Sequence, residues 1–354
     1  MKQNRIKLFE NCIIAKGASR SCIMDMQRQN YYMIPNSMAE MFDENHVFEV
    51  SGIEKEHQNT VDEYIKFLID NELCFYCDEK LLDNFPTIDF NEWDYPAHIT
   101  NALIELDFNH PDKGLEILKN LADNLLTRYF EVYAIGIVDV DVVDKVLSKI
   151  DDLDLYSYNL IIGFNLNDLE GGIRMINEHY KISRAIVHST GRNDIILSDK
   201  GGWGNVFLIE DAYNHNQCGL VDQNYFANNI DHITESHQHN TCLNRKIAID
   251  IDGNIKNCFG MCGNHGNTNK VNITDVIKSK DFQKLWHIKK DDITKCKDCE
   301  FRHICTDCRA FTDNPDDIYS APLKCGYDPY TNKWEEWSTL SFKQKAIEFY
   351  GLNK

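Results

Sequence analysis

The chain has 354 residues, 43% hydrophobic and 26% charged, with a formal net charge of −19. That length buries a large core and suits two or three domains; the acidity excludes a nucleic-acid binder, because phosphate recognition needs a basic surface. No apolar run approaches the roughly 18 to 20 residues that span a bilayer, and the early run Cys12 to Ala15 is too short for a signal peptide, so the cytoplasm is the expected compartment.

Residues 1–85 read as a small α+β unit. Cys12 to Ala15 and Ser21 to Met24 are strand-like, separated by the turn signal Lys16-Gly17-Ala18-Ser19, and Asn30 to Ile34 is a third strand ended by Pro35. A helix starts near Ser37, with Asn36 or Ser37 as its cap. A second runs from Thr60, its expected cap, to Leu73, with Val61, Tyr64, Ile65, Phe67, Leu68 and Leu73 in a helical pattern, and Leu73 to Tyr76 returns as a strand. Pro86 and Asn91 to Pro96 mark a linker.

From His98 to about Asn193 strands and helices alternate. Ala102 to Leu106, Phe130 to Ile135, Tyr158 to Phe164 and Ile182 to Val187 are short apolar strands. Lys113 to Leu126, Asp139 to Ile150 and Leu169 to Tyr180 are helices, the last with Asp168 as its cap. Apolar strands between helices predict a parallel sheet with covered faces. Four or five such units suit a partial βα barrel better than a complete one of eight. No phosphate- or dinucleotide-binding glycine motif is present.

Thirteen cysteines carry most of the chemical information, and nine of them lie between Cys218 and Cys325. In a reducing compartment clustered thiols read as metal ligands and not as a disulfide framework. Lys246 to Cys258 forms a hairpin about Asp252-Gly253, which brings Cys242 toward Cys258. Beyond it stand Cys296-x2-Cys299-x5-Cys305-x2-Cys308 and then Cys325. Each Cys-x2-Cys offers two thiolates from one tight turn, and the repetition makes chance a poor explanation. Thiolates of this kind hold zinc or iron–sulfur clusters. The single pair Cys74 and Cys77 reads as two buried small hydrophobes. His237 and His239, near Cys242, offer a further metal motif, though such histidines more commonly sit solvated in a polar loop.

The aromatic strand Asn30 to Pro35 and the helix ending Ile65 to Cys74 resemble the peptide-recognition element of peptide-maturation enzymes. That winged-helix-like module binds a precursor's leader by strand addition. A purely structural cap is the alternative for this segment.

The pattern Cys242-x10-Gly253-x4-Cys258, a gap, Cys296-x2-Cys299-x5-Cys305-x2-Cys308, a gap, and Cys325 resembles the SPASM domain of radical S-adenosylmethionine (SAM) peptide maturases. The resemblance implies two auxiliary [4Fe–4S] clusters. Carried over by position, Cys242, Cys258 and Cys308 belong to one, with Cys262 as its fourth ligand at a place unlike the family's usual one. Cys296, Cys299, Cys305 and Cys325 belong to the other. The family's usual last spacing is Cys-x3-Cys, so Cys305-x2-Cys308 departs by one residue, and Cys218 has no assignment.

The cysteine triad that holds the SAM-cleaving cluster is missing. Ile104 to Pro111, after the first βα strand, contains no cysteine, and Cys258-x3-Cys262-x2-His265 is only a near miss, too late in the chain. This combination resembles the SPASM-domain maturase of "grasp-with-spasm" peptide systems. It implies a precursor leader peptide and an ATP-grasp ligase as partners, and no SAM. Three readings follow: a peptide maturation factor whose clusters take part in modification, a non-catalytic precursor-binding adaptor braced by clusters or zinc, and a zinc-stabilised scaffold. No catalytic base is assigned. The expected fold is α/β: a winged-helix-like unit over 1–85, a degenerate radical-SAM-like βα core over 98–215, and a SPASM-like metal domain over 240–330.

Overall fold

The computed structural model describes residues 5–91, 94–198 and 203–352; Glu92 and Trp93 of the expected linker lie outside them. In chain order come β1 (Arg5–Leu8), β2 (Cys12–Lys16), β3 (Ser21–Asp25), β4 (Asn30–Ile34), α1 (Asn36–Ala39), β5 (Val47–Glu49), α2 (Gln58–Asp70) and β6 (Cys74–Cys77). Next are β7 (Asn101–Leu106), α3 (Asp112–Leu125), β8 (Tyr129–Val138), α4 (Val140–Asp151), β9 (Ser157–Phe164) and α5 (Leu169–Glu178). Then follow β10 (Ile182–His188), β11 (Asp194–Ile196), β12 (Asn205–Leu208), α6 (Ile230–Gln238), β13 (Lys246–Ile249) and β14 (Ile255–Lys256). The chain closes with α7 (Ile273–Ile277), α8 (Lys280–Gln283), β15 (Tyr327–Asp328), β16 (Lys333–Trp334) and α9 (Gln344–Phe349).

Two compact units result. The first joins Met1–Trp93, Gly219–Cys242 and His287–Lys354; the second joins Asp94–Cys218 and Leu243–Trp286. Residues 1–85 thus fall wholly in the first unit and 98–215 wholly in the second, while 240–330 contributes to both.

In the first unit β2, β3 and β4 form an antiparallel sheet, and β5, β1 and β6 another. Side chains alternate across β2 and β3 with the period of a strand. Cys12 and Ile23 join a core with Ile6, Leu8 and Leu68. Their neighbours Ile13, Ala15, Cys22 and Met24 join a second core with Phe301, Ile304 and Tyr327. Both faces of β3 are therefore covered, and each large apolar side chain there contributes about 1.5–3 kcal/mol by leaving water. Gly17 makes the fit possible: a Cβ at its place would lie 2.6 Å from the Arg20 carbonyl oxygen and 2.9 Å from the Glu300 nitrogen.

Sequence pattern alone does not reveal β1 and β5. Lys7 breaks the apolar run of β1, yet it is buried, donating to the Asn45 carbonyl at 3.0 Å and pairing with Glu10 at 2.5 Å. The second helix begins at Gln58, two residues before the expected Thr60 cap, and no side chain caps it.

The second unit is built on a mostly parallel sheet, eight-stranded among the described residues, in the order β11-β12-β10-β9-β8-β7-β13-β14. The six central strands run parallel, and β11 and β14 add antiparallel edges. Helices α3, α4 and α5 each bury one stripe, such as Leu118, Leu121 and Leu125 on α3 and Val143, Leu147 and Ile150 on α4. Asp139 caps α4 by accepting from the Asp141 amide at 2.9 Å; Asp168 makes no such bond to α5. The hairpin forms where Asp252-Gly253 predicts it: Gly253 has φ +86° and β13 pairs with β14. Among the described residues no helix is long and apolar enough to cross a membrane.

Candidate metal centre

Four of the expected ligands meet in the first unit. Cys296 and Cys299 sit on one turn, closed by the Cys299 amide donating to the Cys296 carbonyl at 3.0 Å. A second turn, in which the Cys305 amide donates to the Phe301 carbonyl at 3.0 Å, presents Cys305. Cys325 arrives on a separate segment, bridged to Val221. These four thiols line one cavity, walled by Val221, Phe226, Phe301, Tyr327 and Trp334. The wall is apolar and aromatic, so it excludes water from whatever the thiols hold.

Burial sets the protonation of these groups. It pushes the Cys296 thiol up to about 11, the Cys305 thiol to about 12 and the Cys299 thiol well above its usual value. Without a metal they are neutral at pH 7, and a bound metal would displace their protons. Lys290 reaches into the same cavity, its Nζ 3.6 Å from the Cys305 sulfur and 3.5 Å from Asp307 Oδ1. Burial opposes its charge; the charge of Asp307, and of Cys305 and Cys296 once ionised, outweighs that and holds its pKa well above the ordinary.

The two centres that such thiols hold differ in spacing. A zinc tetrathiolate, with Zn–S about 2.3 Å, draws its sulfurs to about 3.8 Å of one another. A [4Fe–4S] cubane spreads its outer thiolates to roughly 6 Å. Among the described residues, the group of three or more metal-binding side chains whose ligand atoms all lie within 4.8 Å of one another is Glu54, Glu56 and His57, all exposed. No three of the four thiols meet that spacing, although all four face one cavity. The four thiols and their dry wall suit a cluster or a zinc tetrathiolate as donors.

The other expected ligand set is divided between the units. Cys242 and Cys308 belong to the first, Cys258 and Cys262 to the second. Within the first unit a Cβ on Gly219 would lie 2.8 Å from the Cys308 sulfur. Within the second, the buried Cys258 is hydrogen-bonded by Cys218, which the sequence left unassigned. That bond is the largest cause of a shift that brings the Cys258 thiol down to about 6; burial opposes it, while the Lys246 charge and the Gly260 amide assist. Cys262 is exposed.

The remaining candidates resolve differently. Cys74 and Cys77 are buried on β6, the former raised to about 12 by burial, as two small hydrophobes would be. His237 is not a solvated loop residue. It lies on α6 with its ring stacked between Phe90 at 4.4 Å and His303 at 3.9 Å, and burial lowers its pKa to about 4. At the C-terminal end of β7, Asp107 and His110 are 3.0 Å apart. Glu105 accepts from the Ile251 amide at 2.9 Å and pairs with His215 at 2.8 Å.

Sequence reasoning missed Cys218, Lys290 and the Glu105–His215 pair. A buried lysine six residues before a Cys-x2-Cys turn has no local pattern that marks it.

No protein-family model matches the chain, and no curated protein matches it. The chain is similar to two solved structures of SuiB from Streptococcus suis, one bound to precursor peptide SuiA and one to S-adenosylmethionine. Each is 10% identical to it and covers 86% of this chain and 96% of that chain, with TM-scores of 0.35 and 0.32.

Proposed function

We propose that this chain is a maturation factor for a ribosomally synthesised, post-translationally modified peptide, carrying two auxiliary [4Fe–4S] clusters and acting in the cytoplasm with an ATP-grasp ligase. The observation that carries the metal part is the convergence of Cys296, Cys299, Cys305 and Cys325 on one apolar cavity. Cys242, Cys258, Cys262 and Cys308 are the second ligand set of the proposal. Bound clusters would supply one-electron chemistry or a Lewis-acidic iron; the chain itself supplies the thiolates, a dry wall and a fixed neighbouring cation. The maturation role rests on the cysteine spacing and its SPASM resemblance.

The leader peptide is expected to bind the residue 1–85 segment by strand addition. Strand β5 has one neighbour, β1, and borders a cavity of about 780 Å³ that Asp43, Val47 and Glu49 line with Leu82 and Phe85. Val47 is already engaged, its amide donating to Asp43 Oδ1 at 2.8 Å and its carbonyl accepting from the Asp43 amide at 3.0 Å, so a peptide added to β5 would pair beyond Val47 or displace Asp43.

A second reading is a precursor-binding adaptor with structural clusters or zinc; the sequence has no cysteine from Ile104 to Pro111, where the resemblance would put the SAM-cleaving triad. In either reading SAM cleavage is not expected.

The test is one anaerobic preparation of the full chain. Iron, sulfide and zinc are measured per chain, and 5′-deoxyadenosine is sought after reduction in the presence of SAM. About eight irons with matching sulfide, and no 5′-deoxyadenosine, is the expected result. Stoichiometric zinc without iron would sink the cluster reading.

A further inference from the structure

We propose that Lys290 is a fixed counter-charge for the centre held by Cys296, Cys299, Cys305 and Cys325, and that it raises the reduction potential of that centre; the inference rests on the iron–sulfur reading above. Lysine is almost never fully buried unless paired, yet Lys290 is 3% exposed. The carboxylate beside it, Asp307, is already engaged. Arg309 donates from Nη2 to Oδ1 at 2.8 Å and sets its Nε 2.6 Å from Oδ2 as an ion pair, and Asn240 donates to Oδ2 at 2.5 Å. Lys290 stands farther off, at 3.5 Å.

This buried trio of two cations and one carboxylate carries a net charge of +1. Neutral thiols do not balance it. A tetrathiolate centre does, because four thiolates around either Zn²⁺ or an oxidised [4Fe–4S]²⁺ core carry two negative charges. The ammonium lies 3.6 Å from the Cys305 sulfur, within reach of an N–H···S hydrogen bond. A cation and a hydrogen bond at a ligand sulfur favour the more negative, reduced state of a cluster, so they raise its potential.

The variants are Lys290→Met, which keeps length and removes charge, Lys290→Arg, which keeps charge, and Asp307→Asn, which leaves the lysine less compensated. Each full chain is purified anaerobically, checked by circular dichroism and iron content, and titrated redox-potentiometrically with EPR detection. The expected result is one cluster whose midpoint falls in Lys290→Met, returns toward wild type in Lys290→Arg and rises in Asp307→Asn. Wild-type iron with an unchanged midpoint in Lys290→Met overturns the inference. A folded Lys290→Met that loses iron while Lys290→Arg keeps it supports the inference; equal loss in both overturns it. A wild-type chain holding zinc and no iron refutes the iron–sulfur reading separately. Lys290 is then judged by zinc release to a chelator, faster in Lys290→Met if it is a counter-charge and unchanged if it is not.

Discussion

Arg20 donates from Nε to Glu300 Oε1 at 2.7 Å, across 280 residues of sequence. The Tyr327 hydroxyl donates to the same oxygen at 2.5 Å, and the Glu300 side chain is fully buried between Cys299 and Phe301. The turn joining β2 and β3 is thereby fixed to the turn that carries two proposed ligands. The Ala18 amide, donating to the Asp298 carbonyl at 2.8 Å, adds a second tie.

Removing the cation should cost more than removing the charge it faces. Arg20→Met leaves a buried carboxylate with a tyrosine alone and should destabilise the first unit by about 3 kcal/mol. Glu300→Gln leaves an arginine that reaches water and should cost less. Urea unfolding of both variants checks the order; equal losses would show that Glu300 is not held as a buried anion.

Lys343 is expected to hold the Cys325 segment in place. Its side chain is fully buried, donating to the carbonyls of Leu323 at 2.7 Å and Cys325 at 2.8 Å and pairing with Asp313 at 2.8 Å. Lys343→Met strands those carbonyls and a buried carboxylate. The expected loss is roughly 3–5 kcal/mol together with reduced metal per chain, read by urea unfolding and metal analysis. A variant with wild-type stability and metal would refute the assignment.

Acid should weaken the first unit well above the carboxylate range. Burial lowers His232 and His237 from 6.5 to about 4 and drives His303 further down. These groups stay neutral in the native state while the unfolded chain takes up protons near 6.5, so stability falls as the pH drops from 6.5 toward 4. Urea midpoints across that window should therefore decline. His237→Phe, which keeps the ring stack, should flatten the slope by about one proton; an unchanged slope would count against a neutral buried His237.

In the metal-free chain, thiolate absorbance should show a step near pH 6 from Cys258. Cys258→Ala should abolish it, and Cys218→Ala should move it upward, because the Cys218 bond is the largest cause of the shift. Cys262→Ala should leave it in place. A step that follows Cys262 and not Cys218 would reverse the ranking of the two.

Much of the layout was legible because it is written in local pattern. The alternation of apolar strands with one-sided helices over 98–193 predicts a parallel sheet, and the parallel strands β7 to β10 follow it within one or two residues, apart from a longer C-terminal end on β8. Asp252-Gly253 predicts its hairpin, because only a few residue types accept a positive φ cheaply. Strands β1, β5, β11 and β12 were not legible, being three or four residues long and stabilised by their neighbours more than by their own pattern.

By itself the sequence singled out a candidate thiolate site. Two Cys-x2-Cys turns and the cysteines that flank them are chemistry confined to a few neighbouring residues, which spacing can display. Only the tertiary structure decided that Cys296, Cys299, Cys305 and Cys325 share a cavity with a buried lysine, that Cys218 bonds Cys258, and that Arg20 secures Glu300. The bonds among them join residues as far as 280 positions apart in the chain. No periodicity connects such residues; those of the first unit meet because β3 is covered on both faces and the cysteine turns close against it, and Cys218 meets Cys258 within the second.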